Sequence, residues 1–414
     1  MVSQTSYWLG SCEDIENLLI ERQRGCGGSA FDILTGDMTD AQLAKRARLQ
    51  LMMAWQAVAI APDPLTVKDL RIYPLREADS GRGYTMVRVE AAGGLVGWGE
   101  CGSAFPAAET GAAKQALTGL SASSYEVAWR RLDGAPTLRP AIDMALLEIA
   151  GQQSKAPVYQ VLGGPTRNKC RAYVPLEGAG ALERNQKAGH KAFAVPAPAN
   201  EWRNAGKPYV EKVTTLMQMM RRAAGEDCDF VLDGGGRLTP GDAQAIADVL
   251  EKFHLLCFDE PVPAANLGAV KKIAGECVTP LGLGRNAVTA AAFQDLLRED
   301  CVDLMRPSLA RFGVSQIRRI AALGEVHYVA VAPYHDGGPL GTLAALHLAA
   351  SIPNFFVQQI PSPASARDRE MRKALLSEDV EHVKAGFATL PTGPGWGVRV
   401  NESAVDRYSK EARA

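Results

Sequence analysis

Three polar residues close three apolar runs at a fixed pitch of 26 residues: Asp233 in Val231-Leu232-Asp233-Gly234-Gly235, Asp259 in Cys257-Phe258-Asp259-Glu260-Pro261, and Arg285 in Pro280-Leu281-Gly282-Leu283-Gly284-Arg285. That step accommodates one short strand, one helix and two brief connections. The same alternation runs through most of the chain. Strands are predicted at Arg171–Val174, Lys191–Val195, Phe230–Leu232, Leu255–Phe258, Leu281–Leu283, Val302–Met305, Tyr328–Val331 and Phe355–Gln358. Helices are predicted between them at Val210–Ala224, Gly241–Lys252, Leu267–Ile273, Ala290–Arg298, Gln316–Leu323 and Leu340–Ala350. Short buried strands regularly separated by helices confine the chain to a parallel α/β barrel, whose chemistry is built at the C-terminal strand ends. Asp233, Asp259 and Arg285 should therefore face one another. A metal site would want a third acid where the arginine stands.

Upstream of the barrel the period of the pattern changes. Val67–Tyr73, Tyr84–Ala91 and Leu95–Glu100 alternate with period two and read as an antiparallel meander, with Ala92-Gly93-Gly94 as a tight turn. The polar stretch Pro74–Gly83 reads as a mobile loop. Helices are predicted at Ala107–Leu120, Tyr125–Leu132 and Arg139–Gln153. Residues 1–65 form a separate helical extension: a helix over Glu13–Gln23, a break at Gly25–Gly28, and a second helix from Thr39-Asp40 through Ala41–Ala59 that stops before Pro62 and Pro64. The stripe Leu43, Ala47, Leu51, Ala54, Val58 in that helix suits packing on its own subunit or on a partner. The expected domains are thus a helical extension (1–65), an α+β capping domain (66–138), the barrel (139–383) and a C-terminal segment returning to the cap (384–414).

A chain of 414 residues with 47% apolar and 22% charged residues is ordinary for a globular protein, and a net charge of −1 gives no electrostatic case for nucleic acid or an anionic membrane. The eight cysteines are scattered without zinc spacing and read as free thiols. Neither a signal peptide nor a membrane span is evident, so a cytoplasmic location is expected.

The motifs Ala141-Ile142-Asp143-Met144-Ala145-Leu146-Leu147-Glu148-Ile149, Pro157 through Gly164, Asp233 through Arg237, Phe258-Asp259-Glu260-Pro261, Ala332-Pro333-Tyr334 through Gly338-Pro339, Ile352-Pro353-Asn354-Phe355 through Gln359, and Leu390-Pro391 with Pro394-Gly395-Trp396-Gly397-Val398 together resemble the enolase superfamily. The branch they resemble is that of mandelate racemase and the acid-sugar (galactonate-type) dehydratases. The resemblance covers roughly Val67–Asn401 and implies an enolase-type (β/α)7β TIM-like barrel capped by an α+β domain. It further implies cap loops at Pro74–Gly83 and Gly102–Pro106 that close over the substrate. In that family three strand-end acids hold Mg²⁺, which stabilises an enediolate while a Lys or His base takes the proton.

Set against that pattern, the chain keeps Asp233 and Asp259 as metal positions but has Arg285 at the third. Gly235 replaces the Asn or His beyond the first acid. Ala194, followed by Pro196, replaces the second-strand lysine, and Lys191 lies on the opposite strand parity. Ser308 and Tyr334 stand at the Asp–His dyad, with His335 one residue away, and Gln359 replaces the final glutamate. Glu260 is on the wrong parity to serve as a ligand. The expectation is a remnant metal site bridged by Arg285, with no cofactor, or with Mg²⁺ only if the site is completed otherwise. Tyr334 and His335 are the candidate acid/base residues, and Arg285, Arg237, Ser308 and Gln359 the candidate ligand contacts. Two functional readings are open. The favoured one is a non-catalytic homologue that binds a small carboxylate or sugar acid, or serves as a subunit of a homo- or hetero-oligomer. The other is a lyase or isomerase acting on a hydroxy-carboxylate with a rebuilt centre.

Overall fold

The computed structural model describes residues 63–102, 106–199 and 202–413, together with Lys45, which is helical. The expected helices at Glu13–Gln23 and Ala41–Ala59 otherwise lie outside the described residues. The chain divides into two compact units, Met1–Ala61 and Pro62–Ala414, and all of the described residues except Lys45 belong to the second.

The second unit opens with the predicted meander, β1 (Val67–Arg76), β2 (Gly83–Ala91) and β3 (Val96–Gly102), paired antiparallel in that order. Two helices, α1 (Ala107–Leu117) and α2 (Tyr125–Arg131), complete the cap, and α3 (Arg139–Gln153) underlies its sheet. Helix α3 is buried on both sides. Ala141, Ile142, Ala145, Leu146 and Ile149 join the cap's apolar core, whereas Met144 and Leu147 join the core beneath the barrel helices. Gly97 and Gly99 of β3 permit this approach, because a Cβ on either would run into the Ala145 or Ala141 carbonyl.

After the short α4 (Val158–Val161), strand and helix alternate as the sequence predicts, with one unpredicted helix, Ala181–Lys187, between the first two strands. The series is β4 (Lys169–Pro175), α5 (Ala181–Lys187), β5 (Ala192–Pro196), α6 (Lys207–Ala224), β6 (Asp229–Asp233), α7 (Pro240–Leu250), β7 (Cys257–Asp259), α8 (Leu267–Glu276), β8 (Leu281–Leu283), α9 (Ala290–Arg298), β9 (Leu304–Met305), α10 (Leu309–Val326), β10 (Ala330–Val331), α11 (Pro339–Ser351) and β11 (Gln358–Gln359). Strands β4 to β10 pair in parallel, each with the next. Phe355, just before β11, bridges Val331, and β11 pairs with β4, so the pairings run round the ring and return to its first strand. Tyr173, Ala192, Ala194, Val231, Cys257, Leu304, Ala332 and Val357 fill the interior. The chain closes with α12 (Ala366–Leu375), a hairpin β12 (Val383–Lys384) and β13 (Phe387–Thr389) on β4, and α13 (Glu402–Arg413). Within this last segment Trp396 is buried and donates its indole N–H to the Trp98 carbonyl at 2.9 Å. Among the described residues no helix is long and apolar enough to cross a membrane.

Two elements differ from expectation. Helix α10 starts at Leu309, seven residues before the predicted start, and is interrupted at Gly313, whose φ is 62°. Buried Asp143 makes the interruption stable: its Oδ2 accepts the Val314 and Ser315 N–H groups at 2.9 and 3.0 Å. Asp143→Ala should leave both donors unsatisfied and cost about 2–3 kcal/mol, read from the shift of a urea midpoint. A midpoint unchanged from wild type would count against this role.

The supposedly mobile loop Pro74–Gly83 is in fact a short turn, because β1 extends to Arg76 and β2 begins at Gly83. Its backbone N–H groups at Asp79 and Ser80 donate to the Asp368 carboxylate at 3.1 and 2.7 Å, and Glu77 is salt-bridged to buried Arg372 of α12 at 2.6 Å. The polar residues that suggested mobility are the ones that tie it down.

Candidate active site at the barrel mouth

Strand parity brings Asp233, Asp259 and residue 306 to the same inner face as the barrel-filling side chains Val231, Cys257 and Leu304. Asp233 ends β6, Asp259 ends β7, and Arg285 comes two residues after β8. The Arg285 guanidinium forks onto Asp233, with Nη1 3.0 Å from Oδ2 and Nη2 2.9 Å from Oδ1. Its Nη1 also stands 3.8 Å from Asp259 Oδ2. Burial works against the charge on Arg285, but the hydrogen bonds and attraction of Asp233 outweigh it, holding the group more firmly protonated than usual.

A second arginine, absent from the candidates drawn from the sequence, completes the centre. Arg306 is fully buried, and its Nε lies 3.0 Å from Asp259 Oδ1. Its terminal nitrogens reach the Ala332 carbonyl, the Tyr173 hydroxyl and Gln359 Oε1. Burial raises the Asp259 pKa, and the Arg306 charge opposes the rise. The signal for Arg306 was present: an arginine two residues beyond inward-facing Leu304 cannot be solvated on that parity and needs an acid across the barrel.

The remaining candidates separate. Tyr334 faces the centre, its ring 5.4 Å from the Arg285 guanidinium carbon and 5.8 Å from that of Arg306, and its hydroxyl donates to Asp336 at 2.9 Å. Burial raises its pKa, so it remains protonated near neutrality and is a poor base there. His335 does not slip into the centre. It is buried outside the ring, with Nε2 2.9 Å from the Gly338 carbonyl, and burial lowers its pKa to about 4. Gln359 is buried with Oε1 already receiving the Tyr173 hydroxyl at 2.7 Å, and Ser308 is buried at the start of α10; neither is placed as an exposed ligand contact. Arg237 is exposed after β6 and lies over Gly235, where a Cβ would come within 2.8 Å of its Nε. Ala194 is an inward, buried filler, while Lys191 is exposed just before β5.

Glu260 is neither a ligand nor idle. Its φ of 45° turns the carboxylate back onto the backbone, where Oε1 accepts the N–H groups of Gly284 and Arg285 at 2.6 and 2.7 Å. Burial raises its pKa to about 7, assisted by the Asp259 charge. It thus fixes the loop that presents Arg285.

A divalent cation does not fit this donor set. Mg²⁺ needs near-octahedral oxygen ligands at about 2.0–2.1 Å, and both acids already have guanidinium partners. At about 4 Å and an effective dielectric of about 20, a dication beside one guanidinium is opposed by roughly 8 kcal/mol. Among the described residues no group of three or more His, Cys, Asp or Glu side chains gathers into a metal-holding cluster.

Residues 72–163 match the family model described as mandelate racemase / muconate lactonizing enzyme, N-terminal domain, and residues 179–404 match the one described as enolase C-terminal domain-like. A D-galactonate dehydratase family member of Streptomyces bingchenggensis is 26% identical over 382 residues, covering 80% of this chain and 91% of that protein. D-xylonate dehydratase of Haloferax volcanii is 26% identical over 291 residues, covering 65% and 69%. Among solved structures, a mandelate racemase/muconate lactonizing enzyme-like protein from Roseovarius sp. superposes with a TM-score of 0.72 at 25% identity, covering 83% of this chain and 95% of that one. An enolase from Agrobacterium radiobacter with bound Na and L-malate gives 0.74 at 21% identity, covering 83% and 94%.

Proposed function

Because this chain belongs to the mandelate racemase/muconate lactonizing enzyme family of the enolase superfamily, we propose that it is a non-catalytic member, a barrel whose metal-assisted proton chemistry has been replaced by a fixed guanidinium centre. The observation that supports this reading is the pairing of Asp233 with Arg285 and Asp259 with Arg306. Two positive charges occupy the acids that would otherwise be free to hold a cation. A base is lacking at the usual places too: Ala194 stands at the lysine position, and His335 is turned out of the centre.

What the mouth retains is binding chemistry. Arg237 and Asp336 are exposed beyond the strand ends, and half-buried Tyr334 lies against the arginine pair and bonds Asp336. Planar forked donors suit carboxylates, and exposed acids suit hydroxyls, so the ligand class is a small hydroxy-carboxylate or sugar acid. Relatives named as galactonate and xylonate dehydratases support the same class. Such a subunit would act as a ligand sensor or as a structural partner, alone or beside a homologue.

Calorimetry on the whole protein tests this reading. Titration with Mg²⁺ should show no saturation in the micromolar range, while a pool of sugar acids should give binding without turnover. Turnover of any sugar acid that Tyr334→Phe abolishes would replace this reading with the rebuilt lyase.

A further inference from the structure

Glu100 lies near the end of β3, yet its carboxylate works in the barrel. Oε1 accepts the Gly338 N–H at 2.6 Å and Oε2 the Gly341 N–H at 3.1 Å, at the start of α11. Three glycines make the room. A Cβ on Gly337 or Gly341 would stand 2.5 or 2.6 Å from Glu100 Oε1, and one on Gly338 2.6 Å from Oε2.

His335 shares that glycine edge. Its Nε2 faces the Gly338 carbonyl, which can only accept, so Nε2 carries the hydrogen and Nδ1 is a bare acceptor. Nδ1 is 3.0 Å and Glu100 Oε1 2.6 Å from the Cβ position of Gly341, so both side chains border that glycine. A cavity of about 40 Å³ adjoins them, lined also by Tyr84, whose buried hydroxyl has no hydrogen-bond partner. That volume has room for a bridging water.

The charged surroundings favour a proton here. Glu77 of the β1–β2 turn and Glu381 before β12 both bond to the guanidinium of Arg372 from α12, leaving Glu100 without a dedicated cation. Arg82 stands at the edge of the group, 3.6 Å from Glu77, and Asp336 and the Cys101 thiol flank the cavity. Burial raises the Glu100 pKa to about 7 against the pull of the two N–H donors, while burial lowers that of His335 to about 4. A proton entering the group therefore resides on Glu100, and a water in the cavity would link the resulting hydroxyl to Nδ1.

We propose that Glu100 and His335 form a proton-holding latch between the capping domain and the barrel, with the cap held tightly when the pair carries its proton and more loosely when the proton leaves. The docked cap binds more protons than a freed one, because Glu100 has a higher affinity in the docked state. Docking is therefore strongest below the ordinary glutamate value of 4.5, weakens as pH rises from there to about 7, and is level above.

Hydrogen exchange of the full chain, read by mass spectrometry on peptides covering β3 and residues 336–345 and corrected for intrinsic rates, tests this. Between pH 5 and pH 8 the wild type should lose at least about tenfold in protection at these peptides. Glu100→Gln keeps an accepting oxygen and offers N–H to Nδ1, so its protection should not vary with pH. Equal wild-type protection at the two pH values, or a slope retained in Glu100→Gln, overturns the latch. His335→Ala removes the facing acceptor and should move the midpoint down by about one pH unit; an unmoved midpoint also overturns it. Glu148, whose carboxylate accepts the Trp98 N–H of β3, and Glu260 titrate in an overlapping range, so where the two peptides differ the one covering residues 336–345 decides.

Discussion

Arg285→Glu is expected to raise the affinity for Mg²⁺ by at least about tenfold, the equivalent of 1.4 kcal/mol, from a wild-type starting point of no measurable saturation at micromolar metal. The substitution does two things together. It releases both Asp233 oxygens from the guanidinium fork and supplies a third carboxylate at the end of β8. The local charge over positions 233, 259, 285 and 306 falls from zero to −2. Without metal, three acids at one barrel mouth repel one another, so the variant should be less stable than wild type. Added Mg²⁺ should then restore stability in proportion to the logarithm of its concentration above the dissociation constant. A melting series over metal concentration reads both effects in one experiment.

Arg306 sets the ceiling on that gain. It remains 3.0 Å from Asp259 in the single variant, so only part of the acid set is free. Arg285→Glu with Arg306→Gln should bind Mg²⁺ more tightly than Arg285→Glu alone. Micromolar Mg²⁺ binding by the wild type would sink the guanidinium-centre reading. A folded double variant that still ignores Mg²⁺ would mean that the strand ends themselves no longer converge as a cage.

The barrel and the first salt bridge of the centre were legible from residues alone because both derive from periodicity. A step of 26 residues fixes consecutive strand ends, and strand parity fixes which side chains point inward. Arg285 beside Asp233 and Asp259 follows from the pitch but not from parity. Leu281 and Leu283 pack outward and Gly282 pairs with Asp259, so it is the loop after β8, with Gly284 at a φ of 108°, that turns the arginine into the centre. The rest of the centre depends on approaches the rules do not encode. Arg306 is reached through a fold-wide closure in which Tyr173, from the first barrel strand, meets Gln359 from the last. Glu260 is placed by a left-handed backbone turn rather than by alternation. His335 leaves the centre because Gly337, Gly338 and Gly341 admit it and Glu100 into a shared space under the cap. The Pro74–Gly83 turn misled for the opposite reason: polarity indicates solvent in a single sequence, but here the partners are 288 and 289 residues away in the chain.

The largest loss of stability is expected from Arg372→Met. Arg372 is buried with 2% of its side chain exposed, and its guanidinium holds Glu77, fully buried, and Glu381 at 2.6–2.7 Å. Methionine fills much of the same volume, so packing is largely kept and what is lost is charge. Two carboxylates then share the seam with Glu100, and the guanidinium left beside them is that of Arg82, 3.6 Å from Glu77. Breaking one buried pair by removing a single partner costs about 3–5 kcal/mol, and with two acids abandoned the variant should fall at the upper end of that range. The cap should respond first, because Glu77 belongs to the turn that Asp368 also holds, so exchange at residues 77–82 should accelerate before the barrel opens. Charge, rather than volume, is isolated by the triple variant Arg372→Met, Glu77→Gln, Glu381→Gln, which should recover most of the stability. As a surface comparison, Arg298→Met removes only an exposed i,i+3 contact to Asp295 and should change stability by no more than about 0.5 kcal/mol. If a denaturant series places Arg372→Met beside Arg298→Met, the seam is not held by this ion group, and the fixed cap must owe its rigidity to the Asp368 hydrogen bonds and apolar packing instead.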